Sequence, residues 1–313
     1  MAFFSIIIPT LNRPKDLTYL FDNLLTLSTI PSEILVVDQS DDNKTHDLCV
    51  KSKYDSLSIR YFHTTIKSSS LARNIAINNL SIHSNYVVFL DDDVSLSSDF
   101  FEQIELFFQK HSHAQWWVAN IESPLRKISF VKKIWFYLLT GGTKFTETFV
   151  TIGGFNVMPL KQITTLKIVE WTSGCWMFFR KKIFDEGFRF EERFMKYSLM
   201  EDCFLSYAIQ HKYPKTLYFV PNLRMVHRET PASRIPNKAR VLQNIVHRFY
   251  FVQKFKKSIP AYLRTMLIFC IFDLINYRDI RVVYWYMKWL VFVFSNKHNI
   301  IKSDFDFNSF IFA

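Results

Sequence analysis

The sequence predicts an α/β fold with a mostly parallel sheet that is flanked by helices. Two observations lead to this fold class. Several short runs are apolar throughout, as YVVFL at 86–90 is, and segments with the apolar spacing of a helix alternate with them. Strands that are apolar on both faces are typical of parallel sheets that helices cover on both sides. A chain of 313 residues with 49% hydrophobic side chains can fill the core of such a fold.

The N-terminal elements repeat one order of strand, loop and helix. The run FFSIIIP is β-branched and apolar, which predicts a strand that stops at Pro9. Pro14 suits the first turn of a helix over roughly residues 15–28. The run ILVV at 34–37 predicts a second strand, which ends at Asp38 in a turn rich in Ser, Asp and Asn. The serine-rich start of SSSLARNIAINNL can cap the next helix.

The later elements continue this alternation. The strand YVVFL leads directly into the three aspartates Asp91–Asp93. The segment EDCFLSYAIQHKYP predicts a helix whose first turn carries Glu201 and Asp202, where the helix dipole favours ionised carboxylates. KTLYFVP then predicts one more strand.

Three polar strand ends are expected to meet at one edge of this sheet. They are Pro9–Arg13, Asp38 and Asp91–Asp93. In open parallel sheets, ligands bind outside the carboxyl ends of the strands, where the loops lie. The sequence therefore predicts that these three segments line one crevice.

The composition limits the class of partner. The chain has a net charge of +11, which favours phosphates, anionic lipid head groups or nucleic acid without choosing among them. Its four cysteines, Cys49, Cys175, Cys203 and Cys270, lack the spacing of zinc ligands and are expected to be reduced thiols of a cytosolic protein. The N-terminus enters a strand without the pattern of a secretory signal, so the catalytic part is expected in the cytoplasm.

The aspartate cluster predicts a metal site. Neighbouring carboxylates raise one another's pKa, so such a cluster usually serves a cation. Mg²⁺ or Mn²⁺ binds one or two protein carboxylates and completes its shell with water and substrate phosphates. Asp91 and Asp93 can point into the same crevice, whereas Asp92 projects elsewhere. Taken alone, DDDVS also fits a solvated turn.

Six segments of the sequence, taken together and in their order along the chain, resemble the inverting, nucleotide-sugar-dependent family 2 glycosyltransferases of the GT-A fold. The resemblance covers residues 3 to about 228. The segments are SIIIPTLNRP, ILVVDQSDD, SSSLARNIAI, VVFLDDDV, WTSGCWMFFRKKIFDEGFRFEERF and MEDCFLSYAIQHKYPKTLYFVP. One departure is that Ser68–Ser70 stand where the family often has glycine.

The resemblance implies a role for each matching residue. The residues that it assigns to the nucleotide-sugar site are Pro9, Thr10, Asn12, Arg13, Asp38, Arg73, Asp91 and Asp92. Among them, Asp38 accepts a hydrogen bond from the base ring and Arg73 lies near the nucleotide or its phosphates. Asp93 is the main ligand of Mg²⁺ or Mn²⁺, Asp91 contacts the ribose or the metal, and His227 is a further metal or diphosphate contact.

The same resemblance implies a general base on the predicted helix that begins at Glu201. The base takes the proton of the attacking hydroxyl on the face opposite the leaving group, which inverts the anomeric centre. Asp202 is the expected base, and Glu201 is the second candidate.

The C-terminus is basic and aromatic. Residues 224–257 carry nine lysines and arginines and one glutamate, and the segment around Arg248 has the pattern of a basic amphipathic helix. Beyond Pro260, two apolar stretches are interrupted by charges before they reach the ~18 to 20 apolar residues of a spanning helix. We therefore expect interfacial helices with Tyr284, Trp285 and Trp289 at head-group depth. A packed helical lid is the alternative.

These observations predict two domains and one principal function. Residues 1–230 form the catalytic domain, and residues 231–313 form the helical, membrane-associating region. The predicted activity is metal-dependent inverting transfer of a hexosyl or deoxyhexosyl group from a UDP- or dTDP-sugar. The acceptor is a glycan or a lipid-linked glycan of a bacterial surface polysaccharide, made at the anionic inner leaflet of the plasma membrane.

Two other functions fit parts of the sequence. Asp91, Asp93 and Ser95 loosely match the nucleophile strand of haloacid dehalogenase-type phosphatases, although that motif normally follows the first strand of its domain. The charge also permits a non-catalytic protein that binds membranes or nucleic acid. No segment resembles a nucleic-acid-binding signature, so nucleic acid is not an expected partner.

Overall fold

The computed structural model describes residues 2–121, 130–142, 147–159, 163–174, 176–194, 198–228 and 237–302. The chain forms two compact units. The first comprises Met1–Arg126, Ile163–Lys196 and Glu201–Ser233, and the second comprises Lys127–Gln162, Tyr197–Met200 and Arg234–Ala313. This division differs from the predicted one at 230/231, because residues 127–162 and 197–200 join the C-terminal helices.

The first unit alternates strands and helices. Its strands are β1 (Phe4–Thr10), β2 (Glu33–Asp38), β3 (Ile59–His63), β4 (Tyr86–Leu90), β5 (Val94–Leu96), β6 (Trp116–Ile121), β9 (Lys167–Ile168), β10 (Trp176–Arg180) and β11 (Leu217–His227). Its helices are α1 (Pro14–Leu24), α2 (Lys44–Cys49), α3 (Ser69–Asn78), α4 (Phe100–Lys110), α6 (Lys182–Asp185) and α7 (Glu201–Lys212), with a 3-10 turn at Ser52–Leu57.

One sheet organises the first unit. Its strand order is β3-β2-β1-β4-β10-β6-β11-β5, and β9 also pairs with β11. The pairs β3/β2, β2/β1, β1/β4 and β6/β11 are parallel, whereas β10 runs antiparallel between β4 and β6. The mostly parallel α/β fold is therefore confirmed, and the antiparallel β10 is an addition that local patterns did not indicate.

Burial explains why the central strands are apolar on both faces. All six residues of β2 are buried, and Ile6, Ile7 and Ile8 of β1 are fully buried. Helices on both sides of the sheet remove these side chains from water. Burial of each aliphatic side chain stabilises the folded state by roughly 1.5–3 kcal/mol. The hydrophobic effect thus holds the strand ends in a fixed arrangement.

The prediction that β1 stops at Pro9 was wrong. Pro9 lies within β1 and pairs with Val37 of β2. The pairing of β1 with β4 has already ended at Ile7 and Phe89. The missing N–H of Pro9 therefore costs no hydrogen bond on the β4 side, which is the condition under which a strand tolerates proline.

The second unit is mainly helical. Its elements are α5 (Phe130–Thr140), the hairpin strands β7 (Phe149–Val150) and β8 (Asn156–Val157), α8 (Asn237–Lys254), α9 (Ile259–Tyr277) and α10 (Arg281–Ser295). Helix α8 is central to this unit, and His247 and Arg248 are buried with its apolar residues. The expectation of a surface amphipathic helix around Arg248 therefore does not describe α8. Trp289 is also buried, in contact with Phe292, and is not available at head-group depth.

Helix α9 is the most apolar described helix of the second unit. Within the described residues it alone is long and apolar enough to cross a membrane by length and composition, with a mean hydropathy of 1.4 over 18 residues. The prediction that no C-terminal segment reaches that length was thus too strict. Only 17% of that window is buried, and Leu263, Leu267, Ile271 and Ile275 form an exposed stripe.

The described cysteines differ in their burial. Cys49 and Cys203 are buried free thiols, and Cys270 is a partly buried one. Burial, helped by the charge of Asp38, raises the pKa of Cys49 to about 12 and keeps it unreactive. Cys175 lies outside the described residues.

Gly153 is required where the β7–β8 turn meets α9. A Cβ atom at Gly153 would lie 2.6 Å from the carbonyl oxygen of Ala261 in the first turn of α9. We expect Gly153→Ala to destabilise the protein by about 1–3 kcal/mol, because backbone atoms must move to make room. Thermal and urea unfolding of the full chain measure the loss. Gly142→Ala is the control, since that Cβ would meet no atom within 4 Å, and equal stability of the two variants would contradict the prediction.

Candidate functional site

Strand pairing brings His227 to the aspartate cluster. Asp91–Asp93 lie between β4 and β5, and β5 pairs antiparallel with β11 so that His227 is opposite Val94. The His227 Nε2 atom is 2.9 Å from Asp93 Oδ1, and the backbone N–H of Arg228 donates to the Asp93 carbonyl at 3.0 Å. A contact between residues that are far apart in sequence is thus fixed by the register of two short strands.

Asp91, Asp93 and His227 fit a divalent cation. One ligand atom from each lies within 4.8 Å of the other two. Two carboxylates and one imidazole suit Mn²⁺, and the carboxylates suit Mg²⁺. The pKa of Asp93 is well below its usual range: burial opposes ionisation, but the hydrogen bond and charge of His227 and the charge of Arg13 outweigh it. An ionised carboxylate is the form that a metal ion requires.

Arg13 supplies a positive charge to the same cluster. Its two terminal nitrogens lie 2.9 Å from Asp92 Oδ1 and 2.7 Å from Asp93 Oδ2. The loop that presents it turns at Asn12, whose φ of 57° is left-handed and whose N–H donates to Ser40 Oγ at 2.7 Å. Asparagine tolerates this conformation better than most residues. The predicted convergence of the β1 and β4 loops therefore occurs.

Asp92 and Thr10 form an internal brace. The Thr10 hydroxyl donates to Asp92 Oδ2 at 2.7 Å, and Asp92 is only 3% exposed. Burial raises the pKa of Asp92 to about 7 against the charge of Arg13 and the Thr10 hydrogen bond. Asp92 shares the Arg13 guanidinium with Asp93, and its second oxygen accepts from Thr10. Its assignment to the nucleotide sugar stays a prediction, and its contacts are those of a support for the loop of β1.

Asp38 is buried at the end of β2. Its carboxylate accepts hydrogen bonds from the Ser40 N–H and the Tyr61 hydroxyl, both at 2.9 Å. The predicted contact with a base ring stays a prediction, and such a contact would use a carboxylate that already has two donors. Thr10 is the partner of Asp38 in β1, and the preceding residue, Pro9, is partly exposed.

Arg73 joins the aspartate cluster to the start of α7. Its guanidinium is buried and is bound by the Glu201 carboxylate, and its Nη2 atom lies 3.4 Å from both Asp91 Oδ1 and the Gly174 carbonyl oxygen. The Ser70 hydroxyl donates to the other oxygen of Glu201 at 2.6 Å. The expected position of Arg73 near the nucleotide or its phosphates stays a prediction, and its contacts within the unit are with carboxylates and the Gly174 carbonyl.

Asp202 is held by backbone groups beside this ion pair. The Gly174 N–H donates to Asp202 Oδ2 at 2.9 Å, and the Cys203 N–H donates to Oδ1 at 2.6 Å. Burial raises the pKa of Asp202, and it raises the pKa of Glu201 to about 7 although Arg73 opposes this. Glu201 is committed to Arg73 and Ser70, whereas Asp202 is partly exposed. The geometry therefore favours Asp202 over Glu201 as a proton acceptor.

Sequence reasoning missed three supporting groups. Gly174 presents both a carbonyl to Arg73 and an N–H to Asp202, and a Cβ there would lie 3.3 Å from Arg73 Nη2. Ser70 anchors Glu201, and Tyr61 covers Asp38. The glycine in WTSGC and the serines before ARN were visible signals, but their partners are 28 and 131 residues away in the chain.

Comparison with known proteins identifies the class. The sequence matches Glycosyl transferase family 2 over residues 5–188. Because this match covers more than half of the chain, the protein belongs to glycosyl transferase family 2. The membership supports neither the phosphatase nor the non-catalytic alternative. No curated protein matches the chain.

Solved structures share the fold. The mannosyltransferase PcManGT from Pyrobaculum calidifontis, in complex with GDP-Man and Mn²⁺, has a TM-score of 0.56 at 13% identity over 93% of this chain and 75% of its own. S. aureus TarS 1-349 with UDP has a TM-score of 0.53 at 16% identity, over 89% and 73%. Its complex with UDP-GlcNAc has a TM-score of 0.52 at 16% identity, over 87% and 81%. The fold is therefore GT-A, and the family membership makes the protein a glycosyltransferase.

We expect Asp93→Asn to weaken Mn²⁺ binding by at least about tenfold, since even outer partners of metal ligands contribute that much to affinity. Electron paramagnetic resonance of free Mn²⁺, with UDP or dTDP present, measures the binding. Asp47→Asn is the control, because that carboxylate is 71% exposed and belongs to α2. Unchanged Mn²⁺ affinity in Asp93→Asn would rule out this metal site.

Proposed function

We propose that the protein is a metal-dependent inverting glycosyltransferase of bacterial surface polysaccharide synthesis. It moves a hexosyl or deoxyhexosyl group from a UDP- or dTDP-sugar to a hydroxyl of a glycan or lipid-linked acceptor. The observation that carries the proposal is a chain of contacts, from Asp91 through Arg73 and Gly174 to Asp202. These contacts link the candidate metal site to the carboxylate that can accept a proton.

The donor side needs a group that holds the nucleotide diphosphate as it leaves. Asp91, Asp93 and His227 would hold Mg²⁺ or Mn²⁺, which offsets the negative charge that develops on the phosphates. Arg13 adds a guanidinium at the same edge, and arginine binds phosphate oxygens in bidentate fashion. The neighbours in complex with Mn²⁺ and GDP-Man or with UDP-GlcNAc support a nucleotide-sugar donor and do not choose its base.

The acceptor side needs a base opposite the leaving group. Asp202 is supported for this role because its partners are backbone N–H groups, which fix its direction and leave it partly exposed. One displacement with Asp202 taking the hydroxyl proton inverts the anomeric centre. The raised pKa of Asp202 makes it a stronger base than an ordinary aspartate.

The second unit supports a position at the inner face of the plasma membrane. Residues 237–302 carry twelve lysines and arginines and two aspartates. Exposed apolar residues lie on α9 and α10, among them Leu267, Ile275 and Tyr284. Basic charge beside apolar side chains suits an anionic lipid surface, where each basic residue adds about 1 kcal/mol. A peripheral location in the cytoplasm would bring the enzyme to a lipid-linked acceptor.

Substitution of the base tests the activity. We expect Asp202→Asn to lower kcat by about 10²- to 10⁴-fold in a transfer assay with UDP- and dTDP-sugars and Mn²⁺, since an amide cannot take the proton. Asp185→Asn, an exposed surface change, is the control. For the wild type, kcat/KM should fall as the pH falls through a pKa above the ordinary value of about 4. An active Asp202→Asn beside an inactive Glu201→Gln would reverse the assignment.

Vesicle flotation tests the membrane partner. At low salt, the full-length protein should float with vesicles that contain phosphatidylglycerol and remain unbound with pure phosphatidylcholine vesicles, and added salt should release it. Leu267→Asn should weaken flotation, whereas Val50→Asn should not, because these equally exposed side chains lie in different units. Flotation that is equal with neutral and anionic vesicles, or absent with both, would contradict the proposed partner.

A further inference from the structure

The second unit contains a cavity between α8 and α9. Its volume is about 360 Å³, at the lower end of the range for small-molecule sites. Arg240, Asn244 and Arg248 line it from α8, where a spacing of four residues places them on one face. Facing them, α9 contributes Phe269, Phe272, Asp273, Asn276 and Tyr277. Arg240 and Asn276 are exposed, so the cavity opens at the surface.

Several polar groups around this cavity are available to a ligand. Within the described residues, the side chains of Arg240, Asn276 and Tyr277 make no hydrogen bond. Arg240 interacts with Asp273 and Tyr277 through its charge, and its hydrogen-bond donors are left for a ligand. Polar groups that converge on a concave site are the usual means of fixing a ligand's orientation. By contrast, Arg248 is committed, since it donates to the Gly154 carbonyl and to Asn244 Oδ1 at 2.9 Å.

The charge of the cavity favours an anion. Among the described residues that line it, Arg240 and Arg248 are cations and Asp273 is the one carboxylate. Asp273 accepts a hydrogen bond from the Tyr286 hydroxyl at 2.8 Å, and the charge of Arg240 also acts on it, so the cavity keeps one positive charge in excess. A guanidinium with amide and hydroxyl donors beside it matches the oxygens of a phosphate group.

The mouth of the cavity is apolar on the α9 side. Phe272 lines the cavity and is 38% exposed, and the neighbouring Ile271 and Ile275 are exposed further. A free anion gains no binding energy from such an apolar rim. A hydrocarbon chain attached to the anion would cover the rim and remove both apolar surfaces from water. Each CH₂ group that leaves water contributes about 0.8 kcal/mol. The site therefore has the two halves that an anionic amphiphile requires.

We propose that this cavity binds the phosphate group of a lipid, with Arg240, Asn276 and Tyr277 on the phosphate and the chain along the exposed stripe of α9. The lipid is either a membrane phospholipid or the lipid carrier of the acceptor, which share a phosphate ester on a hydrocarbon chain. The inference extends the membrane association proposed above from a charged surface to one defined site.

Short-chain lipids test this site without a membrane. The full-length protein is titrated calorimetrically with dihexanoyl phosphatidic acid and with geranyl phosphate, both as dissolved monomers. Inorganic phosphate and octyl glucoside are the comparison probes, the first without a chain and the second without a charge. We expect saturable binding of at least one phosphate lipid that is at least tenfold tighter than either comparison probe. The tighter of the two lipids indicates which source the cavity prefers.

Matched variants locate the binding. Arg240→Gln should weaken the binding of the phosphate lipid by about tenfold, which corresponds to the loss of one charge-assisted contact. Lys288→Gln, which removes an exposed charge from α10, should leave it unchanged. Both residues are exposed, so thermal unfolding should show intact folds. Equal effects of the two variants, equal binding of inorganic phosphate, or preferred binding of octyl glucoside would overturn the proposal. Since neither sugar transfer nor vesicles are measured, such a failure is distinct from failure of the proposed function.

Discussion

Two arginines make the candidate site possible, because five carboxylates are crowded into one part of the first unit. They belong to Asp91–Asp93, Glu201 and Asp202. Arg13 binds Asp92 and Asp93, and Arg73 binds Asp91 and Glu201. Without these guanidinium groups, the like charges would raise one another's pKa values and protonate the groups that a metal ion needs. Removal of one partner from a buried pair is strongly destabilising, since it leaves an uncompensated charge. The arginines therefore serve the fold and the chemistry together.

The sheet turns this local charge balance into a defined geometry. The short strand β5 directly follows Asp93, and its pairing with β11 brings in His227 from the C-terminal end of the first unit. A shift of one residue in that register would turn His227 to the other face of the sheet. Likewise, Gly174 precedes β10, the antiparallel strand beside β4, and from there it contacts both Arg73 and Asp202. The positions of the chemical groups thus depend on strand pairing more than on the loops themselves.

Local sequence patterns predicted the parts of this site that local physics determines. The apolar runs of β2 and β4 and the aspartates after β4 could be placed because a buried strand and its polar end are neighbours in the chain. The partners of Asp38 and Arg73 could not be predicted in this way, because Tyr61 comes from the next strand and Glu201 from a helix 128 residues away. The same limit applies to α8. Its pattern suggested a surface helix, but packing within the second unit buries Arg248 against Gly154 and Asn156.

The contact between Arg13 and Asp93 has a consequence for the order of events at the site. Both oxygens of Asp93 are engaged, one by Arg13 and the other by His227. An incoming cation competes with that guanidinium, whereas a diphosphate offers Arg13 another anion to bind. Metal and nucleotide should therefore strengthen each other's affinity by the same factor, as thermodynamic linkage requires. The empty enzyme would then hold its metal loosely and retain it firmly only while a donor is present, so that loading follows the supply of sugar nucleotide rather than the supply of metal.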